Sequence, residues 1–300
     1  MFFGSIQLFV DFYLPRGVRK ALALLAVASV VGAAEVSEEH RFEVVTLAEN
    51  LNHPWSIAFL PDGRLLITER AGQLRLLQDG RLRPDPIFGL PAIAQRGQGG
   101  LMDVVLHPNF ERNRMLYLSY TARSEEGYGT EVIRSLFNED RLENSEVIFR
   151  ALPKSRGGRH FGSRLVFLSD GSLLVTLGDR GHRPNGQDLS SHAGSVIRLH
   201  EDGSIPGDNP FRGVDGARSE IYTYGNRNVQ GIAVDRATGT VWLNEHGPQG
   251  GDEVNMLVVG GNYGWAEITY GRNYGIGTRI GEGHRRDDVT EPVHQWTPSI

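Results

Sequence analysis

Cysteine is absent from all 300 residues, which excludes disulfides, thiolate nucleophiles, iron–sulfur clusters and cysteine zinc sites. An oxidising compartment is thereby permitted, and any redox chemistry has to come from a bound organic cofactor. Lysine is nearly absent too, with Lys20 and Lys154 alone. The 31 basic and 36 acidic residues leave a net charge of −5, with no basic cluster of the kind that grips a nucleic-acid backbone, so nucleic acid is not an expected partner. Nor is there an apolar run of the ~20 residues that a spanning helix requires. His107, His182, His192 and His200 form no HExxH or other zinc spacing, and Asp202 to Pro210 lacks the spacing and closing Glu of an EF-hand loop. None of these residues is assigned a metal.

The N-terminus has the order of a secretory leader. Arg16, Arg19 and Lys20 precede the apolar run Ala21 to Val31, and Gly32-Ala33-Ala34 supplies small residues before Glu35. Residues 1–34 are therefore expected to be a signal peptide, with 1–17 an upstream extension and Val18 an alternative start. Residues 35–300 form one β domain, periplasmic or secreted, with no stable membrane span after cleavage.

Glycine is plentiful, at 38 residues, and it punctuates short β-rich runs. After a first strand, Arg41 to Leu47, one phrase of apolar strand, turn and second strand recurs from Ile57, Val104, Leu165 and Ile232, at spacings of 47, 61 and 67 residues. Propeller repeats run to ~40–50 residues per unit, so the excess belongs to loops. A recurring antiparallel phrase with few helical stretches predicts an all-β fold, a β-propeller in which each blade covers its neighbour. A β-sandwich is the alternative, and it would not need the phrase to recur. Loops after the second strands, Glu69-Arg70, Gly178 to Gly181 and Glu245 to Pro248, are expected to gather on one rim. The four phrases and the Pro-containing end read as a fragment with an open edge, which leaves Phe42 to Leu47 without a partner strand.

The polar loops Gly225-Asn226-Arg227-Asn228 and Glu245 to Glu253 flank a hairpin of Gly231 to Val234 and Thr240 to Leu243. They offer Arg, Asn, His, acids and bare carbonyls, the donors that an anionic or metal-chelating cofactor requires. These loops, together with LNHPWSIAFLPDGRLLITER, GQGGLMDVVLHPNF, HFGSRLVFLSDGSLLVTLGDRG, EDGSIPGDNPF and GGNYGW, resemble the soluble pyrroloquinoline-quinone (PQQ) dependent aldose sugar dehydrogenases of the glucose/sorbosone dehydrogenase family. The resemblance runs from about Leu51 to Pro298 and implies a six-bladed propeller, lacking here the last part of the ring.

The same resemblance supplies residue roles. A lone histidine is more often structural, but His160 matches the family's general base, the group that takes the hydroxyl proton while hydride leaves. Asp179 matches the acid that orients it, although a turn-capping role is nearly as well supported by the residues alone. Arg227 and Asn228 match a pair placed against PQQ, and Gln98 matches a further contact. Calcium at the cofactor is implied to involve the carbonyls of Gly247 and Pro248. A second, structural calcium is implied at Glu253 and Tyr263, with Tyr274 a weaker third. Lys154 has no matching motif, so the mature chain has no evident lysine contact to PQQ. The implied reaction oxidises an aldose at its anomeric carbon to the lactone, with a separate electron acceptor. A non-catalytic propeller that binds carbohydrate or protein is the alternative, and a metal-dependent lactonase ranks below both.

Overall fold

A computed structural model describes residues 3–10, 35, 36, 38 and 40–299. The apolar run of the expected leader, Ala21 to Val31, lies outside the described residues. Four antiparallel four-stranded sheets follow one another along the chain. The first comprises β4 (Pro54–Phe59), β5 (Leu65–Glu69), β6 (Gln73–Gln78) and β7 (Arg81–Leu82). The second comprises β8 (Leu101–Leu106), β9 (Met115–Arg123), β10 (Tyr128–Asn138) and β11 (Arg141–Arg150). The third holds β12 (Leu165–Phe167), β13 (Leu173–Thr176), β14 (Ser195–Leu199) and β15 (Ile221–Tyr224). The fourth holds β16 (Val229–Val234), β17 (Val241–Glu245), β18 (Asp252–Met256) and β19 (His294–Trp296). Each recurring phrase is thus the first hairpin of a blade.

Strand periodicity explains the stacking. Successive side chains point to opposite faces, and here both faces are apolar. Leu116 and Leu118 pack with Leu66, Leu74 and Leu76 of the first blade. Tyr117 between them faces Leu173, Val175 and Leu199 of the third. Leu174 faces the other way, onto Val241 and Leu243 of the fourth. Every internal sheet is therefore covered on both sides, which is why its strands read as continuous apolar runs and why a propeller, rather than a two-sheet sandwich, accommodates them.

The first strand extends further than expected, as β3 (Arg41–Asn52), and packs Ala48 and Leu51 against Leu65, Ile67 and Leu77. In the full chain β1 (Phe3–Val10) pairs along one edge and β2 (Glu35–Val36) along the other, and because β1 lies within the expected leader, β2 is the partner that residues 35–300 retain. An unpaired edge of hydrogen-bonding groups recruits an available extended segment, and residues 3–10 supply one. Among the described residues the helical pieces are short, α1 (Phe110–Asn113) and a 3-10 turn at Arg183–Gln187.

Blade geometry also fixes where loops go. Within each first hairpin the strands are antiparallel, so the start of the first strand and the end of the second lie at the same end: Pro54 pairs with Glu69 and Val229 with Glu245. Lead-in loops 97–100, 157–164 and 225–228 consequently share a rim with the loops after β13 and β17.

Candidate active site

His160 sits in the lead-in to β12 with φ at +51°, a left-handed conformation uncommon for a residue other than glycine. Three contacts hold it there. Its amide donates to Gln98 Oε1 at 2.7 Å, and its Nδ1 lies 2.6 Å from Asp179 Oδ1. Gly178 passes so close that a Cβ would stand 2.5 Å from the His160 carbonyl oxygen and 2.8 Å from Asn228 Oδ1. Glycine is required at 178 for that approach.

Asp179 is fully buried, and every contact fixes its orientation. Oδ1 also accepts from the Gly181 amide at 2.6 Å, and Oδ2 accepts from Trp265 Nε1 at 2.7 Å. Its amide donates to the Arg227 carbonyl at 2.9 Å. Since an ionised carboxylate only accepts, the imidazole proton belongs on Nδ1, and Nε2 is the basic nitrogen. The neighbouring Arg180 clamps the same loop, donating to the carbonyls of Arg159 and Gly157 and lying 3.5 Å from the centre of the Phe161 ring. Burial pushes its guanidinium down to about 10.

Gln98, His160, Arg227, Asn228, His246, Gly247, Gln249, Asp252, Tyr274 and Ser299 line one cavity of about 350 Å³. Larger clefts exist, including one of about 620 Å³ beside Tyr120 and Tyr128. The chemistry of the lining distinguishes the smaller one. Arg227 is 8% exposed and donates to the His246 carbonyl at 2.8 Å and, at 3.4 Å, to the Tyr274 hydroxyl. A guanidinium has five N–H groups, so several remain for a ligand. The side-chain oxygen of Gln98 is taken by the His160 amide, and that of Asn228 by the Gly162 amide and Gln230 Nε2. Both amide nitrogens are left as donors. Lys154 is elsewhere, paired at 2.7 Å with buried Glu131.

A second, smaller space is lined by Arg227, Glu245, Gly247, Glu253, Tyr263 and Trp265 among others. Glu245 accepts from Asn226 Nδ2 and from the amides of Arg227 and Asn228, at 2.8, 2.6 and 3.1 Å. Burial nevertheless pushes its carboxyl up. Burial, then the charge of Glu245, pushes Glu253 up to about 8. Glu253 contacts Asn255 Nδ2 at 3.3 Å. Tyr263 commits its hydroxyl to the Met256 carbonyl and the Val258 amide. Tyr274 is not brought to this space: it is 67% exposed and lines the other cavity. Gly247 borders both, whereas the Pro248 carbonyl accepts from the Arg272 amide at 3.0 Å. One of its two lone pairs remains. Among the described residues no three His, Asp or Glu side chains converge as a metal-binding set.

The rim gathers the predicted loops after β5, β13 and β17: the Arg70 carbonyl lies against Gly100 and accepts from the Leu101 amide at 3.2 Å, although the Glu69 carboxylate itself is spent on the Asn52 amide and Arg75. Two residues of the site were given no role of their own by the sequence: Glu245 stood only as the start of a polar loop, and Trp265 only as the end of GGNYGW; their partners lie 17 to 19 and 86 residues away.

A sequence model of the family Glucose / Sorbosone dehydrogenase matches residues 51–300. The chain belongs to that family. The aldose sugar dehydrogenase YliI of Escherichia coli is 42% identical over 282 residues, which cover 92% of this chain and 75% of that protein. Among solved structures, a glucose dehydrogenase superposes with a TM-score of 0.82 at 44% identity, covering 84% of this chain and 75% of the other. The PQQ-bound aldose sugar dehydrogenase of Streptomyces coelicolor superposes at 0.69 with 31% identity, covering 82% and 69%. As a member of the glucose/sorbosone dehydrogenase family, the chain shares its β-propeller with these proteins. Among its described residues no helix is long and apolar enough to cross a membrane.

Proposed function

We propose that this chain oxidises aldose sugars at the anomeric carbon to lactones, as a PQQ- and calcium-dependent dehydrogenase with His160 as the general base. The observation that carries the reading is the His160–Asp179 pair, 2.6 Å apart, with His160 lining one cavity with Arg227 and Asp179 buried behind it. Asp179 holds the proton on Nδ1, so Nε2 takes the proton of the anomeric hydroxyl, and the resulting imidazolium is stabilised by the carboxylate. PQQ, when bound, supplies the quinone that accepts the hydride. The two electrons leave the sugar with that hydride and the proton goes to His160, so the ring carbon becomes the lactone carbonyl.

The cavity fits such a group. PQQ presents carboxylate and quinone oxygens, and the cavity presents donors: the fixed charge of Arg227 and the unspent amide nitrogens of Gln98 and Asn228. Gly247 would contribute its carbonyl to calcium there, whereas Pro248 does not line this cavity. The second space also offers oxygens to a hard cation: buried Glu245 and half-buried Glu253 border it, with Arg227 lining it too, and the Oδ1 atoms of buried Asn226 and Asn255 lack partners. The leader-like residues 1–34 support a periplasmic or secreted location, and Edman sequencing of the exported protein tests it.

Adding PQQ and calcium to the cofactor-free chain and following dye reduction with several aldoses tests the activity. Sugar-dependent reduction is expected, and His160→Ala should lower kcat by about 10²-fold or more. Absence of any sugar-dependent reduction, or full turnover by the alanine variant, would overturn the reading.

A further inference from the structure

We infer that Trp265 is the positioning residue of the His160–Asp179 pair, acting from the fourth blade on a base held by the third. This rests on the reading of His160 as the base. The indole Nε1 donates to Asp179 Oδ2 at 2.7 Å, while the other carboxylate oxygen serves His160 and the Gly181 amide. Each oxygen therefore has its own donors, and the carboxylate plane cannot rotate without breaking a buried hydrogen bond. The indole is itself fixed. The Trp265 amide donates to the Gly225 carbonyl at 2.8 Å, its carbonyl accepts from Gln187 Nε2 at 2.8 Å, and a Cβ on Gly186 would clash with that carbonyl. The ring is buried and lies 5.5 Å from the Arg227 guanidinium. One side chain thus sets the carboxylate that orients the base and packs beside the cation expected to hold the cofactor.

A buried carboxylate oxygen that loses its donor keeps its desolvation penalty. With Trp265→Phe the ring volume is largely retained and the N–H is lost. Asp179 is then free to turn, and His160 loses its single tautomer. The wrong tautomer offers a protonated Nε2, which cannot accept the substrate proton.

The test is made on the full chain. In the cofactor-free protein labelled with ¹⁵N-histidine, His160 should show one Nδ1–H tautomer, and Trp265→Phe should give a mixture. On reconstitution, the variant should lose about 10-fold in kcat with KM for the sugar within about 2-fold. Incorporation of benzothienylalanine at position 265, which keeps the bicyclic shape without the N–H, should reproduce both effects if the phenylalanine variant fails to fold. An unchanged tautomer in a folded variant overturns the inference, as does a mixed tautomer with unchanged kcat. His160→Ala is the separate control: full turnover there removes the base reading, while the tautomer measurement still reports whether Trp265 sets the pair.

Discussion

Burial decides the charge of Glu253, and that has a pH signature. Its folded value is raised from 4.5 to about 8, so the folded chain holds a proton that the unfolded chain releases. The stability this group contributes is fully present below about 4.5 and is lost as pH rises through about 8. Calcium binding at this carboxylate must expel that proton, so affinity should rise with pH across the same window. Calorimetry in EDTA and in calcium, at pH 6 and pH 8.5, should show a larger calcium-induced rise in Tm at the higher pH. Glu253→Gln should flatten the slope in EDTA and remove the calcium response; an equal calcium response in the variant would place the ion elsewhere. The sequence showed Glu253 as half of an acidic pair, Asp252-Glu253. It could not show that Asp252 turns to the Gly247 amide while Glu253 is enclosed beside Glu245, because the partition depends on which strand face each occupies.

Among the elements, the lead-in loops and the loop after β13 carry most of the site, and their roles were legible through the family resemblance rather than from the residues alone. His160-Phe161-Gly162 and Gly178-Asp179-Arg180 each place a glycine where backbones cross, a contact that the structure reveals. Boundaries were less legible: the hairpin expected from Gly231 and Thr240 runs as Val229–Val234 and Val241–Glu245. Gly178→Ala should drive its new methyl into the His160 carbonyl and displace the base. Displacements of about 1 Å can cost about 10²-fold in rate, and kcat of the reconstituted variant should fall on that scale. Gly171 is the matched control. It lies in the turn between β12 and β13 with φ at +83° and open space around its Cβ position. Gly171→Ala should cost about 1–2 kcal/mol from left-handed strain and leave kcat unchanged. Equal kcat losses at both positions would mean that general destabilisation, rather than placement of His160, controls activity.

At the scale of the molecule, the blades are joined by a repeated hydroxyl. Thr68 Oγ1 accepts from the Ser56 amide of its own blade at 2.9 Å and donates to the Met102 carbonyl of the next at 2.5 Å. Ser119 Oγ accepts from the Asp103 amide at 2.9 Å and donates to Ser163 at 2.6 Å. Thr176 Oγ1 accepts from the Arg164 amide at 3.0 Å and donates to Val229 at 3.2 Å. The repeat was visible as LLIT, LYLS and LLVT, with the hydroxyl in the same place, although its purpose was not. A hydroxyl in an apolar strand reads as β-propensity until the facing carbonyl is known. In the fourth phrase, VWLN, the corresponding Asn244 is exposed. Each internal hydroxyl satisfies two backbone groups that closely packed blades would otherwise leave buried and unpaired. Thr176→Val keeps the shape and removes both bonds. It should destabilise the chain by about 1–3 kcal/mol for each group left unsatisfied, while Thr176→Ser should restore most of the loss. Thr68→Val and Ser119→Ala, at the two preceding junctions, should fall in the same range by denaturant unfolding. A Thr176→Val chain within about 0.5 kcal/mol of the parent would show that water or backbone adjustment replaces the hydroxyl and that apolar stacking alone holds the blades together.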